Sequence, residues 1–237
     1  MGGVHHDNRQ FTRESVTWPR TVAEAVRWQK RLRRLLLLED RLPPAVRLVG
    51  GVDAAYVGDR ALAVIVVLTY PGLEVVEHVF GRAPAAFPYV PGLLAMREGP
   101  AVEAAWQALP EARRPDVLFF DGQGIAHPRG MGIAAHMGVL FDRPAVGVAK
   151  RLLVGRHEPV PDEAGAWRPL LYRGRTVGAA VRTRAGVKPV YVSPGHRLSV
   201  PTAVHYVLAT ARGYKLPEPI RLADRLVRRQ RQREEET

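Results

Sequence analysis

The chain predicts an α/β fold built on one mixed sheet, and three observations carry the prediction. Three apolar strands joined by short turns come first, so those strands run antiparallel. Helical and strand patterns then alternate, which makes the strands that follow parallel. Two runs far apart in sequence, Gly51-Val52-Asp53 and Val117-Leu118-Phe119-Phe120-Asp121, each place an aspartate against apolar surroundings. At 237 residues and 46% hydrophobic content, the chain can bury one large core.

Residues 1–20 are polar and aperiodic, and a flexible leader is expected there. Thr21-x-x-Glu24 has the form of a capping box. Ala25, Trp28, Leu32 and Leu35 then recur at helical spacing, predicting a helix that ends before Pro43-Pro44. Strands are expected at 47–56, Ala61 to Leu68 and Leu73 to Phe80, with turns at Val57-Gly58-Asp59-Arg60 and Pro71-Gly72. Pro100 suits the first turn of a helix whose apolar stripe is Val102, Ala105, Trp106 and Leu109.

Val117 to Phe120 reads as a buried strand. Ala134, Met137 and Phe141 mark a helix, and Ala145 to Ala149 a further strand. Two short strands are expected near 177–182 and 189–193. Ser199 is placed to cap a helix carrying Val204, Leu208 and Ala211, with Gly213 as terminator. The charged end, 225–237, is expected to fray. No linker divides residues 21–224, so they are expected to form a single domain. An antiparallel meander followed by helix–strand–helix–strand is the order of the ribonuclease H-like fold. Strands one and four lie side by side at the centre of that fold, which would make Asp53 and Asp121 neighbours.

Composition narrows the function. No cysteine is present, which removes disulfides, thiolate catalysis and Cys-ligated zinc and fits a reducing compartment. No apolar run approaches the ~20 residues of a membrane span, and no signal-peptide pattern opens the chain. A cytoplasmic location is therefore expected. Lys and Arg outnumber Asp and Glu, 35 to 23, for a formal charge of +12. That excess suits a polyanionic partner, although a uniformly Arg-rich surface would give the same balance.

Against this background the carboxylates stand out. An aspartate inside an apolar strand needs something to compensate its charge, and oxygen clusters attract hard cations such as Mg²⁺. Asp53, Asp121 and Glu98, in Met96-Arg97-Glu98-Gly99-Pro100, are the metal-ligand candidates. The plainer alternatives are a turn residue for Asp53 and a helix-dipole partner for Glu98. Lys150 ends a strand where it could contact a phosphate, or it could simply extend along the surface. Asp121-Gly122-Gln123-Gly124 lacks the spacing of a phosphate-binding P-loop, but its glycines permit close backbone approach. Pro88-Tyr89-Val90-Pro91-Gly92 holds an aromatic ring on a stiff loop. Such a ring could wedge into a base stack or pack in the core. His127 and His196 are further candidates, each also readable as a structural hydrogen-bonder. No Gly-x-Ser-x-Gly elbow supports serine hydrolysis.

Taken together, Gly51-Val52-Asp53, Pro88 through Leu94, Arg97-Glu98, Asp121 through Arg129, Gly147 through Lys150 and Gly195-His196-Arg197 resemble the endonuclease V family, in the family's order and over roughly Thr21 to Asp224. The resemblance implies a ribonuclease H-like DNA-repair endonuclease that uses Mg²⁺, with Mn²⁺ able to substitute. It implies hydrolysis of the second phosphodiester bond 3′ of a deaminated purine, leaving a 3′-hydroxyl and a 5′-phosphate. Asp53, Glu98 and Asp121 would hold metal and Lys150 the phosphate or the attacking water. Tyr89, flanked by Pro88 and Pro91, would be the wedge. Gly92, Leu94, Gly122, Gln123, Gly124 and Ile125 would shape the hypoxanthine pocket. Many relatives carry His where this chain has Asp224, so that position is a further ligand candidate. The expected partner is deoxyinosine-containing DNA, single- or double-stranded, with inosine-containing RNA as an alternative, and the expected state is a monomer. Two rivals remain: a ribonuclease H-like nuclease acting on RNA or branched DNA, and a non-catalytic nucleic-acid binder.

Overall fold

A computed structural model describes residues 17–236; residues 1–16 of the expected leader, and Thr237, lie outside the described residues. Strand β1 (Leu48–Val57) pairs antiparallel with β2 (Arg60–Thr69), and β2 with β3 (Val75–Pro84). Helix α2 (Leu94–Ala108) leads to β4 (Val117–Asp121), and α3 (Ile133–Phe141) to β5 (Ala145–Ala149). The chain continues through β6 (Trp167–Tyr172), β7 (Arg175–Val181) and β8 (Val190–His196) to α4 (Val200–Thr210) and α5 (Glu218–Glu235). The eight strands form one sheet in the order β3-β2-β1-β4-β5-β8-β7-β6. β4 runs parallel to both β1 and β5, so the expected meander-then-parallel architecture is present.

Both faces of the sheet are covered. On one face α1 (Val22–Arg33), α2 and α3 bury Trp28, Met96, Val102 and Met137 with Phe120. On the other, α4 and α5 bury Val204, Val207, Ile220 and Val227 with Phe119. β2 is apolar on both faces, as a central strand should be: Ala61 to Leu68 are all buried.

The structure differs from the sequence reading in several places. The Thr21 capping box forms, but α1 stops at Arg33 and Leu35 lies beyond it. The backbone from Leu37 turns away to bond β8 and its exit: Leu37 N–H meets His196 Nδ1 at 3.3 Å, and Arg197 N–H meets Leu37 O at 2.7 Å. Trp18 is packed edge-on against Trp28, 5.0 Å between ring centres, and donates to Glu103 at 2.6 Å. β3 starts at Val75 because Leu73, with φ of 59°, belongs to the preceding turn.

Pro100 does not open α2 but sits inside it, and Glu98 is an interior residue with no claim on the helix N-terminus. Buried Ala95 and Met96 on one side of the proline and Ala101 and Val102 on the other carry the helix across it. β6 had no counterpart in the reading, because its burial is sparse and Pro169 interrupts it. The charged end does not fray: Pro219, Ile220, Ala223 and Val227 give α5 a buried stripe against the sheet, and Arg82 Nε donates to Glu234 at 2.9 Å near its end. Gly51 makes that docking possible, since a Cβ there would lie 1.9 Å from Pro219 O. Among the described residues no helix is long and apolar enough to cross a membrane.

Candidate active site

The parallel register of β1 and β4 ends at Val52 opposite Phe120. The next residue on each strand is an aspartate, so Asp53 and Asp121 leave the centre of the sheet side by side. Glu98 reaches the same place from α2. The three carboxylates line one cleft of about 10 Å³, together with Val52, Phe120 and Ile133. That is about the room of one water-sized occupant.

Each carboxylate has a different partner. Asp53 Oδ1 accepts from Ala54 N–H at 2.9 Å, and Glu98 Oε1 from the Tyr56 hydroxyl at 3.0 Å. Asp121 Oδ2 lies 2.5 Å from Lys150 Nζ. Burial and then the Asp121 charge push Asp53 up to about 7. Burial pushes Glu98 up to about 7; the Tyr56 bond opposes the rise, and the Asp53 and Asp121 charges add to it. Burial works against the Lys150 charge, but the Asp121 bond and charge prevail and hold its ammonium above the ordinary value. Asp224 stands near enough on α5 to raise Asp53 further, and is itself 2.9 Å from Arg228.

The donors are all oxygen, the set a hard cation takes. Among the described residues, however, no three such side chains are drawn close enough to hold an ion as they stand. Asp53 and Glu98 are raised to about 7 by burial first and by neighbouring carboxylate charge as well, so a cation in the cleft would favour their ionised forms. The donor chemistry and electrostatics therefore fit a divalent cation, which Asp53, Glu98 and Asp121 would hold.

A pocket of about 530 Å³ adjoins this cleft and shares the Asp121 wall. Tyr89, Pro91, Gly92 and Leu94 form one side, and Gly122, Gln123 and Lys150 the other. Tyr89 stands at the rim, 73% exposed, so it is no core tyrosine. Pro88, beside it, is also exposed. Gly124 and Ile125 face inward and do not line the pocket; their amides are fixed by Ser193 Oγ at 2.8 Å and Pro194 O at 2.9 Å. His127 does line it. Its Nδ1 accepts from the Arg129 and Met131 amides at 3.2 and 3.4 Å, and burial, then the Arg129 charge, lower it to about 4. His196 is elsewhere: it pairs with Ala145 at the far end of β5 and lies 3.4 Å from Asp142.

Four residues had no site role in the sequence reading. Tyr56 bonds Glu98, Arg97 stacks 4.7 Å above the Tyr56 ring, and Gln29 and Arg129 brace the pocket loops. Tyr56 follows Asp53 by three positions on β1, a spacing that points the two to opposite faces of the strand, so local pattern did not link them. Gln29 carries no local signal, because its partners lie 63 to 102 residues away.

Comparison with known proteins agrees with this architecture. A family model described as Endonuclease V matches residues 30–225. The endonuclease V of Roseiflexus sp. (strain RS-1) is 52% identical over 209 residues, covering 88% of this chain and 93% of that protein. The crystal structure of endonuclease V from Streptomyces avermitilis has a TM-score of 0.86 at 43% identity, covering 91% of this chain and 95% of that one. The Ciona intestinalis endonuclease V, crystallised with a 24mer DNA containing an inosine followed by a ribo-adenosine, has a TM-score of 0.80 at 28% identity, covering 90% and 98%. The chain therefore belongs to the endonuclease V family, whose members are metal-dependent nucleases.

Proposed function

We propose that this protein is a DNA-repair endonuclease that recognises deoxyinosine and uses Mg²⁺ to hydrolyse the second phosphodiester bond 3′ of the lesion, leaving a 3′-hydroxyl and a 5′-phosphate. One observation carries the reading: the carboxylate cleft and a pocket large enough for a base share the Asp121 wall, with an exposed tyrosine at the rim. The inosine-containing DNA bound by the Ciona relative supports the choice of substrate.

In this reading Asp53, Glu98 and Asp121 hold the cation, with Asp224 behind them. The bound ion supplies Lewis-acid stabilisation of the charge that builds on the phosphate and leaving oxygen. Lys150, once released from Asp121, holds a phosphate oxygen. Tyr56 keeps Glu98 oriented through its hydroxyl bond. Tyr89 enters the space left by the everted base while the pocket takes hypoxanthine. Eversion costs a few kcal/mol, least for a weakened pair, so part of the selectivity lies in the lesion itself. The basic surface adds sequence-independent affinity that falls as salt rises.

The direct experiment uses duplexes carrying one deoxyinosine, with Mg²⁺ or EDTA, beside undamaged controls. Cutting that needs both Mg²⁺ and the lesion is expected. Equal cutting of the control favours a general nuclease, and binding without cutting favours a non-catalytic protein.

Two further results are expected. Tyr89→Ala should lower lesion discrimination roughly tenfold, a wedge contact being worth about 1–3 kcal/mol, with Tm within about 1 °C because the ring is exposed; a collapse in Tm would make it structural.

The second concerns pH. Asp53 and Glu98 titrate near 7 in the fold, above their ordinary values of 3.8 and 4.5. The native state therefore holds more protons than the unfolded state between those limits, and in the absence of metal their contribution to stability is lost as pH rises toward 7. Neutral His127, His136 and His196, each lowered to about 3 or 4 mainly by burial, act in the opposite sense below 6.5. The clean readout is thus the rise in Tm on adding Mg²⁺. It should be larger at pH 8 than at pH 5, because the ligands must be deprotonated to bind. An equal rise at both pH values would argue against these ligands.

A further inference from the structure

Gln29 is 1% exposed on α1, outside the carboxylate cleft, yet every polar atom of its amide is engaged. Its Nε2 donates to Gly92 O at 3.0 Å and to Met131 O at 3.1 Å, and its Oε1 accepts from Arg129 Nε at 2.5 Å. Arg129 Nη2 donates to the same Gly92 carbonyl at 2.6 Å, and the His127 ring stands beside Gly92. His127 Nδ1 is occupied as an acceptor, so the ring proton sits on Nε2, the nitrogen that faces Gly92.

Gly92 has φ of +79°, and a Cβ there would lie 2.7 Å from Arg129 Nη2 and 3.1 Å from His127 Nε2. Glycine is therefore demanded by both the dihedral and the crowding. One carbonyl at the end of the Pro88–Gly92 loop thus gathers donors from α1 and from the 127–129 turn. The loop's own backbone holds it by little: Leu93 N–H bonds Val90 O at 2.9 Å. A fully satisfied buried polar network fixes a single geometry.

We propose that Gln29 is a positioning residue for the wedge: through the Gly92 carbonyl it locks the Tyr89 loop to the Arg129 turn in the setting that everts a base from a duplex. This rests on the repair-endonuclease reading above. It assigns Gln29 a role in duplex opening that a residue merely joining α1 to the core would not have, and the distinction is measurable. An inosine in a single strand has no partner to be separated from, so it needs no wedge.

The test compares wild type, Gln29→Met and Gln29→Glu at saturating Mg²⁺ in single turnovers. Gln29→Met keeps the length and loses all three bonds. Gln29→Glu keeps the acceptor for Arg129 and loses both donors, and it stands in if the methionine variant does not fold. Both variants should cut a deoxyinosine duplex roughly tenfold more slowly than wild type, the loss expected for misplaced hydrogen-bonded positioning groups, and their loss on deoxyinosine in a single strand, which uses the pocket but not the wedge, should be smaller by at least about threefold. Equal losses on the two substrates, or no loss on either, overturn the proposal.

Hydrogen exchange in the free protein gives an independent reading. The amides of Val90, Gly92 and Leu93 should exchange faster in Gln29→Met, and unchanged exchange also overturns the proposal. If wild type cuts no inosine substrate, the functional reading fails, and the exchange result alone decides whether Gln29 holds the loop.

Discussion

Asp53→Ala is expected to lower cleavage at deoxyinosine by at least ~10³-fold, about 4 kcal/mol of transition-state stabilisation, while duplex binding stays measurable. Asp53 is the carboxylate that the sheet delivers to the centre of the cleft, with Asp121 beside it and Glu98 across from it. On the proposed reading its removal would take away a metal ligand and leave the fold intact. In the metal-free protein Asp53 is raised to about 7 by burial and by the Asp121 charge, so alanine relieves a repulsion. Tm in EDTA at pH 8 should therefore hold or rise even as activity disappears. Loss of activity together with a large fall in Tm would mean that Asp53 holds the fold together; retained activity would remove it from the mechanism.

Gly147→Ala is expected to displace the loop that follows Asp121 and to slow cleavage through it. A Cβ on Gly147 would lie 2.4 Å from Gly124 N, 2.5 Å from Gln123 C and 2.7 Å from Gly122 O. All three atoms are backbone, so no side chain can swing aside. The loop is also held from other directions, by Ser193 Oγ on the Gly124 amide and by Ala134 N–H on Gln123 O at 3.1 Å. The methyl must push the 122–124 loop off β5, and that loop forms a pocket wall directly after Asp121. Overpacking of this kind costs about 1–3 kcal/mol, roughly 2–12 °C in Tm for a chain of this size. Displacing site groups by about 1 Å costs up to ~10² in rate. Cleavage of the deoxyinosine duplex should thus fall about a hundredfold at temperatures where the variant is folded. Wild-type kinetics would show that the loop yields without disturbing the site.

The parts of the fold that sequence made visible are those where local pattern and tertiary role coincide. Apolar β2, the turn at Gly58-Asp59 and the Thr21 cap each follow from a few adjacent residues. Asp53 and Asp121 drew attention because charge interrupts an apolar run, and strand order then made them neighbours. Pro100 misled for the opposite reason: a helix start is its usual place, but burial on both sides of it carries α2 through. The charged end concealed the spacing of Ile220, Ala223 and Val227, whose burial depends on Gly51 leaving room for α5. Tyr56 and Gln29 act through partners distant in sequence, and no window of local pattern contains both ends of such a bond.

The proposed chemistry needs a cation gathered by Asp53, Glu98 and Asp121, and calorimetric Mn²⁺ binding tests that most directly. Wild type, Asp53→Asn and Asp121→Asn would be titrated at pH 8 without DNA. Each amide keeps the volume of its carboxylate and removes its charge, so each variant should bind Mn²⁺ at least tenfold more weakly than wild type. Wild-type affinity in both variants would place the metal elsewhere and contradict the assignment.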